Sequence, residues 1–126
     1  MKATELMIGD WVMVKVLSQI PNTYVLHTWT ANDYSMDIQV KPIPLTAKIL
    51  EKNGIKKRRD EYMVFGWDGA KQWYVAMEDF KPQYDFWFIT SSDRDLNISG
   101  KIRYVHQLQH VLRLCGLNDL ADNFKV

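Results

Sequence analysis

The stretch that most constrains the fold is Ile102-Arg-Tyr-Val-His-Gln-Leu-Gln-His-Val-Leu-Arg-Leu-Cys-Gly116. At about 100° per residue, Tyr104, Val105, Leu108, Val111, Leu112 and Cys115 share one broad apolar face. Gly116 stands where such a helix stops. A helix with this stripe has to pack on something, and most of the remaining chain reads as strands. The rest of the sequence must therefore supply a sheet for it. On the same wheel His106, His110, Arg103, Arg113 and Gln107 fall on the opposite side, so the histidines are expected to be partly exposed.

Residues 11–17, Trp-Val-Met-Val-Lys-Val-Leu, form an apolar, β-branched run that follows a Gly9-Asp10 turn. Pro21-Asn22 breaks the run, residues 23–29 read as a second strand, and residues 36–40 alternate at period two as a third. Short turns between them allow a meander able to curl into a small barrel. In Lys41-Pro-Ile-Pro-Leu45, two prolines one residue apart enforce an extended backbone and end the sheet. The result is a rigid connector that packs Ile43 and Leu45. Thr46 can cap a short helix over 47–53, with Gly54 ending it in a left-handed conformation.

The second half opens with a basic turn, Lys56-Lys-Arg-Arg59, followed by Asp60-Glu61. Residues 61–67 and 71–77 flank Asp68-Gly69, a hairpin signal. Residues 85–90 read as a further strand, 91–100 as a polar loop, and 117–124 as a short helical turn. The expected fold is a single α+β domain over 1–126. It combines small antiparallel sheets, a barrel-like N-terminal part, a short central helix and a C-terminal helix packed on the sheet.

Composition narrows the function classes. A chain of 126 residues, 47% hydrophobic and 25% charged, suits one globular domain. Its net charge of +1 gives no global field toward nucleic acid or anionic lipid, which leaves only a local patch to attract either. The one cysteine, Cys115, excludes an intrachain disulfide and a cysteine zinc cluster. That agrees with a reducing, cytoplasmic setting. Glu5 and Gly9-Asp10 interrupt the beginning where a signal peptide needs an apolar core. No run approaches the roughly 20 apolar residues of a membrane span, so no membrane association is expected. The aromatics, 13% with five tryptophans, are the material of a β-rich core.

Candidate chemistry centres on His106 and His110, spaced as a helix can present two metal ligands. In the zinc-hydrolase motif His-Glu-x-x-His the glutamate is the general base. Here that position is Gln107, which cannot take a proton from water. Arg103 and Arg113 oppose a bound dication, and no third ligand is marked. No metal and no cofactor are expected. Cys115, on the expected buried face near a helix C-terminus, is a poor nucleophile. Lys56, Lys57, Arg58 and Arg59, with Trp67 and Trp73 nearby, combine phosphate-seeking charge with rings on which bases stack.

Three segments carry a resemblance along nearly the full chain. They are Leu6-Met-Ile-Gly-Asp-Trp-Val12, Lys41-Pro-Ile-Pro-Leu-Thr46 with Ile49-Leu50 and Gly54, and Tyr104-Val-His-Gln-Leu-Gln109 with Leu112 and Gly116. In order and separation they resemble a group of small uncharacterised proteins from Bacteroides-like bacteria and their phages or mobile elements. The resemblance implies a self-contained bacterial protein without an assigned activity. It draws attention to His106 and Gln109, since His110 lies outside the shared motif, where Asn is expected. One structural role for His106 and Gln109 is to hydrogen-bond the 42–45 connector and lock helix to sheet, which requires His106 to be less exposed than the wheel suggests.

The expected function is a non-enzymatic accessory or binding protein that recognises another protein or assembles with itself. The alternative is a nucleic-acid-binding module using the basic turn and its aromatics, and the third reading is a metal-dependent hydrolase. The residues expected to carry partner or nucleic-acid binding are Lys56, Lys57, Arg58, Arg59, Trp67, Trp73, His106 and Gln109.

Overall fold

Gly9 sets the direction of the first sheet. Its φ of +94° closes a turn that a residue with a side chain would strain. Asp10 N–H donates to the Met7 carbonyl at 3.1 Å, and Gly9 N–H donates to the Trp29 carbonyl at 2.8 Å. The computed structural model describes residues 5–16, 23–35, 38–58, 61–63, 67–68, 71–76, 88–91, 102–114 and 116–126.

From this turn runs β1 (Trp11–Val16), the middle strand of an antiparallel sheet. It pairs with β2 (Val25–Thr28) through Trp11↔Thr28 to Val14↔Val25, and with β3 (Ile38–Lys41) through Met13↔Lys41 to Val16↔Ile38. Side chains alternate across a strand, and β1 uses both faces. Val12 and Val14 are buried against Leu6 and Trp29, with Ile38 and Val40 beside them. Trp11 and Met13 face the other way, onto the main core. The order β2-β1-β3 leaves this three-stranded sheet open, so the barrel-like closure expected from the meander does not form. Its strands are four to six residues long, and two of the three are edges.

The connector behaves as its prolines dictate. Ile43 and Leu45 are buried, and Pro44 bridges Tyr104 through Leu45 N–H to the Arg103 carbonyl and Val105 N–H to the Ile43 carbonyl, both at 2.9 Å. Helix α1 (Ala47–Lys52) follows, with Thr46 Oγ1 accepting from Ile49 N–H at 3.2 Å as its cap. Gly54 at φ +75° ends it, and Ile55 N–H returns to the Leu50 carbonyl while both side chains enter the core.

Two strands, β4 (Lys56–Arg58) and β5 (Glu61–Met63), pair antiparallel. A further sheet has the order β6-β7-β8, with β6 (Trp67–Asp68), β7 (Lys71–Ala76) and β8 (Phe88–Ser91). Asp68 pairs with Lys71, so β6 and β7 pair antiparallel on either side of the expected turn, of which Gly69 lies outside the described residues. The polar loop expected over 91–100 lies, from residue 92 onward, outside the described residues, as does Cys115.

Helix α2 (Val105–Leu114) then crosses the core, Gly116 at φ +78° turns the chain, and α3 (Asn118–Asp122) ends it. The main core gathers Ile43, Leu45, Leu50, Ile55, Ile102, Val105, Leu108, Leu112, Ala121 and Phe124. Each fully buried leucine or isoleucine among these stabilises by about 1.5–3 kcal/mol. Among the described residues no helix is long and apolar enough to cross a membrane.

A Cβ at Gly9 would stand 3.0 Å from the outer guanidinium nitrogen of Arg113, whereas nothing lies within 4 Å of one at Gly54. Gly9→Ala is therefore expected to lower the unfolding free energy by about 2–3 kcal/mol and Gly54→Ala by about 1 kcal/mol. Urea denaturation of the two variants measures this, and equal losses would show that Arg113 yields freely.

Candidate functional site

Helix α2 buries part of its polar side. Val105, Leu108 and Leu112 are buried as the apolar stripe demands, but His106 and Gln109 are buried too, at 4% and 0% exposure. At about 100° per residue, Gln109 sits about 40° from Val105, inside the buried arc. The expectation of partly exposed histidines is corrected for His106, while His110 keeps partial exposure, its side chain 25% accessible.

Gln109 holds the turn that leads into β1 through three bonds. Its Oε1 accepts from Trp11 N–H at 2.8 Å, and its Nε2 donates to the carbonyls of Gly9 and Ala121, each at 3.0 Å. One turn later, His110 Nε2 and Arg113 bond the two carboxylate oxygens of Asp10, Arg113 at 2.8 Å. Asp10 is fully buried and also accepts from Met7 N–H at 2.7 Å. Arg113 reaches Asp122 of α3 at 3.5 Å. Trp11 Nε1 completes the junction by donating to the Phe124 carbonyl. Gln109 thus locks α2 to the first sheet, though through the Gly9–Trp11 turn. The connector expected to receive it is held by backbone bonds at Tyr104.

Burial alone would raise the Asp10 pKa and is the largest single influence on it. The bonds from His110, Met7 N–H and Arg113, with the charge of His110, outweigh it and hold the carboxyl below its ordinary 3.8. With the carboxylate ionised, His110 Nε2 acts as the donor. Asp33 repeats this pattern at smaller scale, its carboxylate accepting from His27 at 2.7 Å and from Thr30 N–H and Oγ1 at 2.7 and 2.9 Å. Burial pulls its pKa up, and these bonds bring it below the ordinary value.

His106 is of another kind. Burial, the largest influence, lowers its pKa from 6.5, with His110 acting the same way and Asp10 and Glu5 opposing. Its Nδ1 is buried with no hydrogen-bond partner among the described residues. Its ring lies nearly parallel to Tyr104, at 9° and 6.0 Å between centroids, and edge-on to His110 at 5.6 Å. Beside it opens a cleft of about 210 Å³ lined by Glu5, Pro42, Tyr104, His106 and Gln107. Gln107 Oε1 caps the helix start, accepting from the N–H groups of Arg103 and Tyr104 at 2.8 and 3.1 Å.

The metal reading gains no third ligand. Among the described residues no group of three His, Cys, Asp or Glu is placed to hold an ion. The basic run is not a turn as expected, because Lys56, Lys57 and Arg58 form β4, opposite Met63, Tyr62 and Glu61. Arg59 lies outside the described residues. Trp67 pairs with Gln72 and Trp73 with Ser91 in the third sheet. Two features were not drawn from the sequence. Tyr24 lies under two ammonium groups, Lys15 at 5.5 Å and Lys41 at 5.0 Å, and Val25 and Leu26 of β2 are each 55% exposed. The chain matches no protein-family model, no curated protein and no solved structure.

Gln109→Leu leaves the Trp11 N–H and the Gly9 carbonyl without the partners that Gln109 gives them, while the Ala121 carbonyl keeps the Phe124 N–H, and an expected loss of about 2–4 kcal/mol in urea denaturation follows. Stability should also depend on pH in two windows. A depressed pKa stabilises above the unfolded value and is lost as pH falls through the folded one. The His106 contribution therefore declines below 6.5 and that of Asp10 below 3.8. Urea midpoints across pH should show His106→Leu flattening the upper window and Asp10→Asn the lower.

Proposed function

We propose that the protein is a non-enzymatic binding protein that acts by protein–protein contact, through addition of a strand to the open edge of β2, with a second copy of the chain as the simplest occupant. The observation that carries this is the exposure of Val25 and Leu26, at 55% each, on an edge strand. Successive strand residues point to opposite faces. Two consecutive apolar residues half exposed therefore mean that the edge is uncovered on both sides.

Edges are usually blunted by lysine, proline or a bulge. The other edge, β3, carries Gln39 and Lys41, whereas β2 reads Val-Leu-His-Thr. Met7 and Ile8, in the turn that leads into β1, are also exposed, at 47% and 63%. A strand laid against β2 gains main-chain bonds and covers Val25 and Leu26 together, which is the recognition mode of β-augmentation.

Sedimentation velocity between about 1 µM and 1 mM is expected to show reversible association that Leu26→Lys abolishes without loss of stability. A monomer throughout, or a dimer untouched by Leu26→Lys, would overturn self-association through this edge.

Nucleic-acid binding is the second reading, supported by Lys15 and Lys41 over Tyr24. No carboxylate pairs with either lysine among the described residues. It requires a salt-sensitive complex with single-stranded oligonucleotides. Lys15→Glu with Lys41→Glu should eliminate that complex if this patch is responsible, and Lys57→Glu with Arg58→Glu if β4 is.

A further inference from the structure

We propose that the cleft between Pro42 and the first turn of α2 binds a guanidinium group, presented as an arginine side chain by another polypeptide. The site is independent of the β2 edge. Its volume, about 210 Å³, is below the roughly 300–1,000 Å³ of pockets that enclose drug-sized ligands, and suits a single side chain.

Charge selects a cation. Of the five lining residues only Glu5 carries a formal charge at neutral pH, and it makes no ion pair among the described residues. The buried charge nearby, Asp10, is already met by His110 and Arg113. His106 adds no opposing charge while it stays neutral.

Shape and donor count then favour guanidinium over ammonium. Tyr104 and His106 offer two nearly parallel rings, with Pro42 as an apolar neighbour. A planar, weakly hydrated guanidinium stacks on such surfaces, whereas a compact ammonium keeps its water. Guanidinium has five donors and no acceptor. At this cleft the Glu5 carboxylate can only accept at neutral pH, and the Gln107 oxygen is spent on capping the helix. That cap also holds the wall in place before any ligand arrives.

The imidazole supplies the second argument. A buried polar atom without a partner costs about 1–3 kcal/mol, and a leucine at position 106 would pack without that cost. The chain keeps a histidine whose Nδ1 has no partner among the described residues at the margin of a cleft whose carboxylate makes no ion pair among them. Protonation of His106 would place a positive charge beside the ligand. Glu5 and Asp10 favour that proton, His110 and burial oppose it, and Tyr104 stacks on the ring. Binding should weaken as pH falls below 6.5.

The test is an NMR titration of the full isotopically labelled chain with N-acetyl-arginine amide, using the lysine and glutamate analogues as controls. The expected result is saturable binding at about 1–10 mM, with shifts at Glu5, Tyr104, His106 and Gln107. The arginine compound should bind severalfold tighter than the lysine one, and affinity should fall as the pH is lowered through the range in which His106 takes its proton. Glu5→Gln, an exposed position, should cost at least tenfold. His106→Leu should keep the fold and remove the pH dependence. Absence of saturable shifts, equal response to lysine, tighter binding of the glutamate analogue, or full affinity in Glu5→Gln would each overturn the proposal. Because the readout is local to this cleft, its outcome is separate from association at β2.

Discussion

The buried carboxylate of Asp10 is the point on which the rest of the structure depends. It lies at the junction of the first sheet and α2, and it is fully desolvated. A lone carboxylate in that position would be severely unfavourable. Three donors meet it, and two of them, His110 and Arg113, come from a helix about a hundred residues later in sequence. Breaking such a buried pair costs about 3–5 kcal/mol, although an apolar junction of the same shape could have been as stable. The gain is in geometry, because only one register of α2 brings Gln109, His110 and Arg113 onto this turn together.

That register has consequences further along the helix. With Gln109 and His110 turned toward the first sheet, His106 one turn earlier is buried with Nδ1 unpaired, and the 104–107 turn forms the wall of the cleft. Leu108 and Leu112, on the adjoining part of the buried arc, pack with the connector and α1 in the main core. One helix therefore serves two faces of different chemistry. Its apolar arc makes the core, and its polar arc makes the junction.

Much of the scaffold was legible in sequence because the signals were local. Thr46 and Gly54 bracket α1, Gly116 stops α2, β6 and β7 pair as the hairpin signal implied, and the prolines make the connector extended. The junction was not legible because it is non-local. Gln109 reads as a residue able to lock helix to sheet, but its partner was expected in the 42–45 connector, and Asp10 reads as an ordinary turn aspartate. A signal was present all the same. Gln109 falls beside Val105 on the wheel, and His110 and Arg113, three apart, present two donors on one side of the helix. The exposed edge at β2 was hidden for the opposite reason, since Val25 and Leu26 look like core material in a strand. The Lys56–Arg58 run was misread as a turn because charge density overrode its ability to pair with residues 61–63.

The span between Trp11 and Phe124, whose contact bridges 113 positions, also bears on how the chain is born. Synthesis at about 5–20 residues per second leaves a delay of about 5–20 s between emergence of the Gly9–Trp11 turn and of the helix that completes it. During that interval the first sheet has its carboxylate but not its cations, so only its local cluster of Leu6, Val12, Val14 and Trp29 can favour closing. Closure of so long a loop also carries a large entropic cost before any contact offsets it. The buried junction, unlike that local cluster, can form only once α2 and α3 have emerged.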